Sequence, residues 1–397
     1  MPRPLDGVRI LALSQFGAGP FGMLQLADLG AEIIKIEDPT TGGDVARYVP
    51  PYRSGQDSLY YHSFNRNNRG ITLNLRVPEA REVLHDLVRE SDGFFSNLRG
   101  DQPERLGLTY EQLGEINPKI VCCSLSGFGM TGPRRTEPGY DYLFQAYSGF
   151  MSLTGDPSTP PTKAGVSIVD YAGGLNAALG LMIGIFQAQR TGKGCDVDIS
   201  LLDTAVSMLA YVATFSLNSD YEPKRLPESS HPTLYPSQVY AASDGYLVIM
   251  VAKEKFWPPL CTALERPDLI DDPRFRTFDD RYQHYQEMNA ILKSVFKTRT
   301  VEEWMDRLRG SVPCAPVNSV EEALNDPQIL SREMIIQTET EQFGTVRHVA
   351  SAIRMNPGEP TPTRPGPALG EDTDDVLQSL AGYDEQRIQQ LRDLGAI

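Results

Sequence analysis

The sequence predicts an α/β fold: a doubly wound, mostly parallel sheet in a large domain, followed by a smaller α+β domain. Three observations carry this. Short apolar runs of strand length alternate with helical patterns through the first half of the chain, as a doubly wound sheet requires. The opening reads strand, glycine turn, helix, strand. A polar, proline-rich stretch from 220 to 235, "DYEPKRLPESSHPTLY", then interrupts the pattern as a linker would, and a domain boundary belongs there. A length of 397 residues fits two or three domains.

The first strand is "VRILALS". The glycine turn after it leads into the helix "FGMLQLADLG", with Pro20 suited to the first turn and Gly30 placed to end it. Strand "AEIIKIE", helix "PEAREVLHDLVRES", strand "GFFSNL", helix "TYEQLGEIN" and strand "KIVCCSLS" continue the alternation. In "KAGVSIVDYAGGLNAALGLMIGIFQAQRTGKG" a short apolar strand is expected to end at Asp170. A helix rich in small residues then runs to about Arg190, stopped by Gly192 and Gly194. Beyond the linker, strand "GYLVIMVA" and amphipathic helices around 254–265, 280–297 and 301–309 make up the smaller domain, which ends near "VPCAPV". The stretch "NPGEPTPTRPGPALGEDT" is proline-rich and reads as extended, and "DEQRIQQLRDLGA" is a last helix.

Composition excludes several functions. The net charge is -15 and no basic cluster exceeds Arg134-Arg135, so the phosphate-neutralising surface that nucleic acid requires is missing. No signal-peptide layout is present, and no run is expected to reach the length of a membrane span, which predicts a soluble, cytoplasmic protein without a membrane partner. Five cysteines without C-x-x-C spacing argue against a disulfide framework and a zinc site, and read as small buried hydrophobes. Five scattered histidines give little support to a metal centre or a Ser-His-Asp triad.

The turn "SQFGAGPFGM" contains Gly17, Gly19 and Gly22, a literal G-x-G-x-x-G. It follows a strand, opens a helix and precedes a strand ending in Glu37, which could take a ribose hydroxyl as in a dinucleotide site. Gln15 and Phe16 intrude before Gly17, however, and the helix is short. A second reading is a tight βα turn whose glycines serve backbone geometry alone. A third is that its N–H groups face another anion or an oxyanion. Asp170, between an expected strand and a helix, reads by itself as a helix N-cap.

Several segments together resemble the class III CoA-transferases, the family that includes formyl-CoA and carnitine CoA-transferases. They are "PLDGVRILALSQFGAGPFGMLQLADLGAEIIKIE", "SFNRNNRGITLNL", "ERLGLTYEQLGEINPKIVCCSLSGFGMTGP", "GYDYLFQAYSG", "GVSIVDYAGGLNAALG" and "RTGKGCDVDISLLD", followed by "TFDDRYQH", "VPCAPVNSVEEALNDPQ" and "PALGEDTDDVL". The resemblance runs collinearly over nearly the whole chain. It implies a Rossmann-like large CoA-binding domain of residues 1–220 completed by 326–397, a small α+β domain of 221–325, and a homodimer of two interlocked rings. It implies no permanently bound cofactor and no metal, with a coenzyme A thioester as substrate.

The resemblance places the family's nucleophile at Asp170. A carboxylate attacking a thioester yields a mixed anhydride, which keeps the acyl group activated. Gly17, Ala18, Tyr140, Gly173 and Gly174 match positions beside the reacting acyl group, and backbone N–H groups near Gly17, Ala18 and the start of the Asp170 helix are candidate oxyanion donors. Coenzyme A would be held by Asn67, Asn68, Arg69, Gly70, Asn97, Leu98, Arg99 and Arg105, since guanidinium groups suit phosphate and adenine. Two positions depart from the formyl-CoA enzyme, which has glutamine at Gly17 and arginine at Asp38.

An α-methylacyl-CoA racemase is the nearest rival, but it uses a histidine where this chain has Tyr140, in Gly139-Tyr140-Asp141, and a phenol is a poor partner for α-proton abstraction. A dinucleotide-dependent oxidoreductase and a non-catalytic CoA-binding dimer are the other readings. The glycine-rich loop of the formyl-CoA enzyme has no counterpart between Ser229 and Lys253. "GYDYLFQAYSGFMSLTGDP" and "SSHPTLYPSQVY" instead resemble relatives that move CoA from succinyl-CoA to dicarboxylates, with His231 and Arg135 as candidate carboxylate contacts.

Overall fold

The computed structural model describes residues 3–55, 57–355 and 363–397. Part of the proline-rich stretch, 356–362, lies outside the described residues. The chain divides into two compact units, one of residues 1–148, 165–211 and 328–397, the other of 149–164 and 212–327.

The first unit is built on one parallel sheet of six strands: β1 (Arg9–Leu13), β2 (Glu32–Glu37), β3 (Arg69–Thr72), β4 (Gly93–Ser96), β5 (Val121–Ser126) and β6 (Cys195–Ser200). Their order is β3-β2-β1-β4-β5-β6, with every pair parallel. The chain winds outward from β1 to β3, then returns to β4 on the other side of β1. Ligands of such sheets bind outside the carboxyl ends at this reversal. Ile10, Leu11 and Ala12 of β1 are wholly buried, as a central parallel strand covered on both faces should be.

The two strands without a distinct signature in the sequence, β3 and β6, are the sheet edges. β6 alternates half-buried and exposed residues, and β3 opens on Arg69, so neither reads as a continuous apolar run. The expected strand ending at Asp170 is not formed. Residues Ile168–Thr191 are one helix with Asp170 in its first turn, and Ser167, not Asp170, is its N-cap. The reason is long-range: this helix start is capped from another helix, as described below.

The Ile168–Thr191 helix crosses the Ala18–Asp28 helix at close range. A Cβ at Gly22 would lie 2.2 Å from the Gly174 carbonyl oxygen, and one at Gly174 would lie 2.3 Å from that of Ala18. Only glycine at both positions permits this approach. Contrary to expectation, this helix of 24 residues is long and apolar enough to cross a membrane by length and composition. Its small residues pack on the sheet, as Gly184 does against Val121 and Gly180 against Val197. Its outer face leaves Leu175, Leu179, Ile183 and Phe186 exposed.

The second unit carries a three-stranded antiparallel sheet of Ser237–Ala241, Tyr246–Met250 and Cys314–Pro316. Helices Trp257–Ala263, Tyr285–Phe296 and Val301–Leu308 cover it around a core that includes Trp257, Phe275, Phe296 and Trp304. The five cysteines are free, and Cys122, Cys123 and Cys261 are buried.

Candidate active site

At the carboxyl end of β1 the chain turns sharply through Ser14–Gly17 into the Ala18–Asp28 helix. Three side chains hold the turn. Asn97, just beyond β4, accepts the Gln15 N–H at 2.9 Å and donates to the Gln15 carbonyl at 2.7 Å. Asp44 accepts the N–H of Phe16, which sits at φ +65° in the left-handed region, at 2.9 Å. Lys35 donates to the Ser14 carbonyl at 2.7 Å and to Asp44 at 2.8 Å. Gly17 is the helix N-cap, and the N–H groups of Ala18 and Gly19 find no acceptor among the described residues.

Opposite this turn lies Asp170. The free N–H groups at the start of its helix are met by Asp141, whose Oδ2 accepts from Val169 at 2.8 Å and from Asp170 at 3.1 Å. Asp141 opens the Asp141–Tyr147 helix, is 3% exposed, and receives a further bond from Gln145. Its negative charge therefore occupies the position where a helix N-terminus would otherwise stabilise the Asp170 carboxylate. Asp170 is 7% exposed, and among the described residues no donor or cation contacts its carboxylate. Burial, reinforced by the charge of Asp141, raises its pKa to about 7.

The approach to that carboxylate is kept open by the absence of a side chain. A Cβ at Gly17 would lie 3.5 Å from Asp170 Oδ2 and 3.3 Å from the Tyr60 hydroxyl. Aromatic pairs pack close by, with Tyr60 5.2 Å from Phe16, which lines the cavity, and Tyr171, next to Asp170 in the chain, 4.7 Å from Phe21. The Tyr60 hydroxyl is held protonated by burial and by the nearby Tyr171 and Asp170. A cavity of about 360 Å³ joins the Gln15–Ala18 turn, Asn97–Arg99, Leu125–Gly127, Glu137–Tyr140, Val45, Leu201 and Asp170.

Of the residues singled out in the sequence, Gly17, Ala18, Tyr140, Asn97, Leu98 and Arg99 thus share one cavity with Asp170. Asn97 clamps the turn, and Arg99 is held bidentate by Asp101 at 2.5 and 3.0 Å. Arg105 is exposed and 3.4 Å from Asp101. Gly173 and Gly174 serve packing: a Cβ on Gly173 would meet Leu201 at 2.6 Å, and Gly174 meets Ala18 as above. The start of the Asp170 helix offers no free oxyanion donor at Val169 or Asp170, because Asp141 takes both N–H groups.

Asn67–Gly70 do not line this cavity. They lie at the amino end of β3 and fasten the carboxyl-terminal segment. Asn67 bonds Asp28 and the Arg364 N–H, each at 2.8 Å, and Asn68 is buried beside Asn65. Arg69 pairs with Glu32 and Asp375, and the Gly70 N–H donates to Asp372 at 2.7 Å. Asp38 caps the short turn Pro39–Thr41. Glu37 is 3% exposed and gripped by Arg47 at 2.7 and 2.9 Å, so it cannot serve a ribose hydroxyl.

Arg135 is half-exposed, 3.8 Å from Glu104. His231, in the second unit, accepts the Thr233 and Leu234 N–H groups on Nδ1 and organises its own turn. Among the described residues no group of three His, Cys, Asp or Glu side chains is arranged to hold a metal.

Asp141, Tyr60, Lys35 and Asp44 escaped the sequence reading. For Lys35 and Asp44 a signal existed: Lys35 and Glu37 share one face of a buried strand, and "DVAR" follows with the opposite charges three apart. Asp141 sits beside Tyr140 in the quoted "GYDY", but nothing local announces which helix it caps.

A doubly wound sheet with a buried aspartate that no cation pairs, sharing one cavity with the turn that opens the Ala18–Asp28 helix, defines the candidate active site of an enzyme. The family model of CoA-transferase family III matches residues 5–373, and the chain belongs to that family. It is 34% identical over 396 residues to human succinyl-CoA:glutarate CoA-transferase, covering 100% of this chain and 90% of that one. It is likewise 34% identical to the succinyl-CoA:mesaconate CoA-transferase of Haloarcula marismortui, covering 96% and 97%. A CAIB/BAIF family protein from Brucella suis superposes with a TM-score of 0.81 at 33% identity, over 96% of this chain and 100% of that one. The dinucleotide reading of the glycine turn is overturned by this match and by the engagement of Glu37 with Arg47.

Proposed function

We propose that the protein moves CoA from succinyl-CoA to a short dicarboxylate acceptor through covalent intermediates on Asp170. The observation that carries this is the Asp170 carboxylate itself: buried, without a cation, and left open by Gly17 toward a cavity of about 360 Å³. The names of the relatives supply the donor and acceptor classes.

In this reading an Asp170 oxygen attacks the donor thioester carbonyl, and CoA thiolate leaves. The thiolate then attacks the Asp170 acyl carbon of the mixed anhydride, forming an aspartyl-CoA thioester and releasing the donor carboxylate. The acceptor carboxylate attacks that thioester and expels CoA thiolate. The thiolate finally attacks the acceptor acyl carbon, giving the new thioester and a free Asp170. No proton or phosphate is consumed, and the energy of the thioester is retained throughout. Water must stay out, since either intermediate would hydrolyse. The Ala18 and Gly19 N–H groups stand nearest the task of receiving each oxyanion. Arg99, which lines the cavity, and the exposed Arg105, which shares Asp101 with it, are the cations that suit the CoA phosphates, with Asn67–Gly70 acting through the fold.

The stripe Leu175, Leu179, Ile183 and Phe186 supports assembly as a homodimer, and the family resemblance supports interlocked rings. The test is a panel of carboxylic acids offered with succinyl-CoA and acetyl-CoA, with hydroxylamine trapping of the Asp170 thioester. Transfer to glutarate- or mesaconate-like acids with an Asp170 hydroxamate supports the reading. Activity confined to monocarboxylates would sink the acceptor assignment, and transfer without any Asp170 adduct would sink the mechanism.

A further inference from the structure

Lys35 and Asp44 do not line the cavity, yet they reach it through the backbone. Lys35 lies on β2 and Asp44 caps the short turn Val45–Tyr48; both side chains are fully buried, with Nζ 2.8 Å from Oδ2. The remaining Asp44 oxygen accepts the Phe16 N–H at 2.9 Å and the Ala46 N–H at 2.8 Å. Lys35 uses a second proton on the Ser14 carbonyl at 2.7 Å. Asp44 is itself pinned, because its own N–H donates to Glu37, which Arg47 grips.

A buried ion pair is a weak source of stability, and apolar residues of similar volume often serve a core as well. What apolar residues cannot do is hold a carbonyl and an N–H of one turn from two sides. That turn requires holding. Phe16 is a non-glycine residue at φ +65°, a strained conformation that persists only where its surroundings over-determine it. The next residue is Gly17, whose position decides whether the space beside the Asp170 carboxylate is open.

We propose that Asp44, with Lys35 as its counter-charge, is a positioning residue for acyl transfer. It fixes the Ser14–Gly17 turn so that Gly17 stays clear of Asp170 and the Ala18 and Gly19 N–H groups face the reacting acyl group. The assignment rests on the CoA-transfer reading above.

Two double variants isolate the role, since both remove the buried charges: Lys35→Met/Asp44→Asn keeps an acceptor oxygen for the Phe16 N–H, and Lys35→Met/Asp44→Ala does not. Thermal melts verify that each is folded. Their kcat values differ by about 100-fold in favour of the asparagine variant, with KM for the acyl-CoA alike, as expected when a reacting geometry is displaced and substrate binding is untouched. Amide hydrogen exchange at Phe16 is about tenfold faster in the alanine variant, the effect of losing one buried hydrogen bond. Equal kcat in the two variants, a change confined to KM, or equal exchange at Phe16 would each overturn the proposal. Should the wild-type protein transfer CoA to no carboxylic acid, the transfer reading falls by itself, and the exchange ratio alone then decides whether Asp44 holds the turn.

Discussion

Two pairs of buried carboxylates in the same unit meet opposite fates. Asp44 and Glu37 are buried within a few residues of each other, and each faces a cation at hydrogen-bond distance, Lys35 and Arg47 respectively. Asp170 and Asp141 are buried too, but among the described residues no cation contacts the Asp170 carboxylate, and Asp141 adds a second negative charge to its surroundings. Burial alone therefore does not make a carboxylate reactive. The cation-paired set builds a rigid frame, and in the unpaired set Asp170 is pushed up to about 7, the property that the proposed nucleophile uses. The two are joined, because Asp44 of the frame holds the turn that leaves Asp170 accessible.

The contrast is broken most severely by removing the proposed nucleophile. Asp170→Asn lowers transfer on the order of 10⁴-fold or more, with no hydroxylamine-trapped adduct. Among the paired set, Arg47→Met strands the buried Glu37 carboxylate and lowers stability by about 3–5 kcal/mol in denaturant unfolding, while Glu37→Gln/Arg47→Met recovers more than half of the loss.

A smaller effect sharpens the comparison through pH. The Asp170 carboxyl titrates at about 7 in the folded protein against an ordinary value of 3.8, so the native state binds more protons across that interval. Its contribution to stability is fully present below the lower value and lost as pH rises through the upper one. Asp170→Asn is accordingly more stable than the wild type at pH 8 by roughly 1–3 kcal/mol, an advantage that shrinks toward pH 4. Equal melting curves at both pH values would refute the origin assigned to the shift.

The gentlest change is Asp141→Asn, which keeps an oxygen acceptor for the helix start but removes the charge. The acid limb of the single-turnover rate of thioester formation, which in the wild type rises with pH through about 7, then moves to lower pH. A limb that stays in place would mean that burial alone perturbs Asp170.

Much of this was legible in the residues. The central strands β1, β2, β4 and β5 announce themselves as apolar runs because they are buried on both faces, whereas β3 and β6 do not because edges carry charge and alternate. The family resemblance carried Asp170, Gly17, Ala18 and the Asn97–Arg99 segment into what the structure brings together as one cavity. Asn67–Gly70 sit elsewhere, fastening the carboxyl-terminal segment to the sheet, which no local pattern reveals because their partners lie about 300 residues away. The misplaced strand before Asp170 has the same cause, since the cap that lets a helix begin there comes from Asp141, 28 residues upstream of the Val169 N–H that it accepts.

The sequence by itself determined the alternation of strands and helices and, through motifs in order, the family, and the family resemblance singled out Asp170, because these depend on periodicity and on residue types in order. It also required glycine at positions 22 and 174, without stating that they meet. Only the tertiary structure decided that this aspartate, among many acidic residues, is buried without a cation beside an open cavity. Charge, burial and hydrogen bonding act through space, and the groups that set them around Asp170, from Asp141 to Gly17 and the Asp44 frame behind it, converge only when the chain is folded.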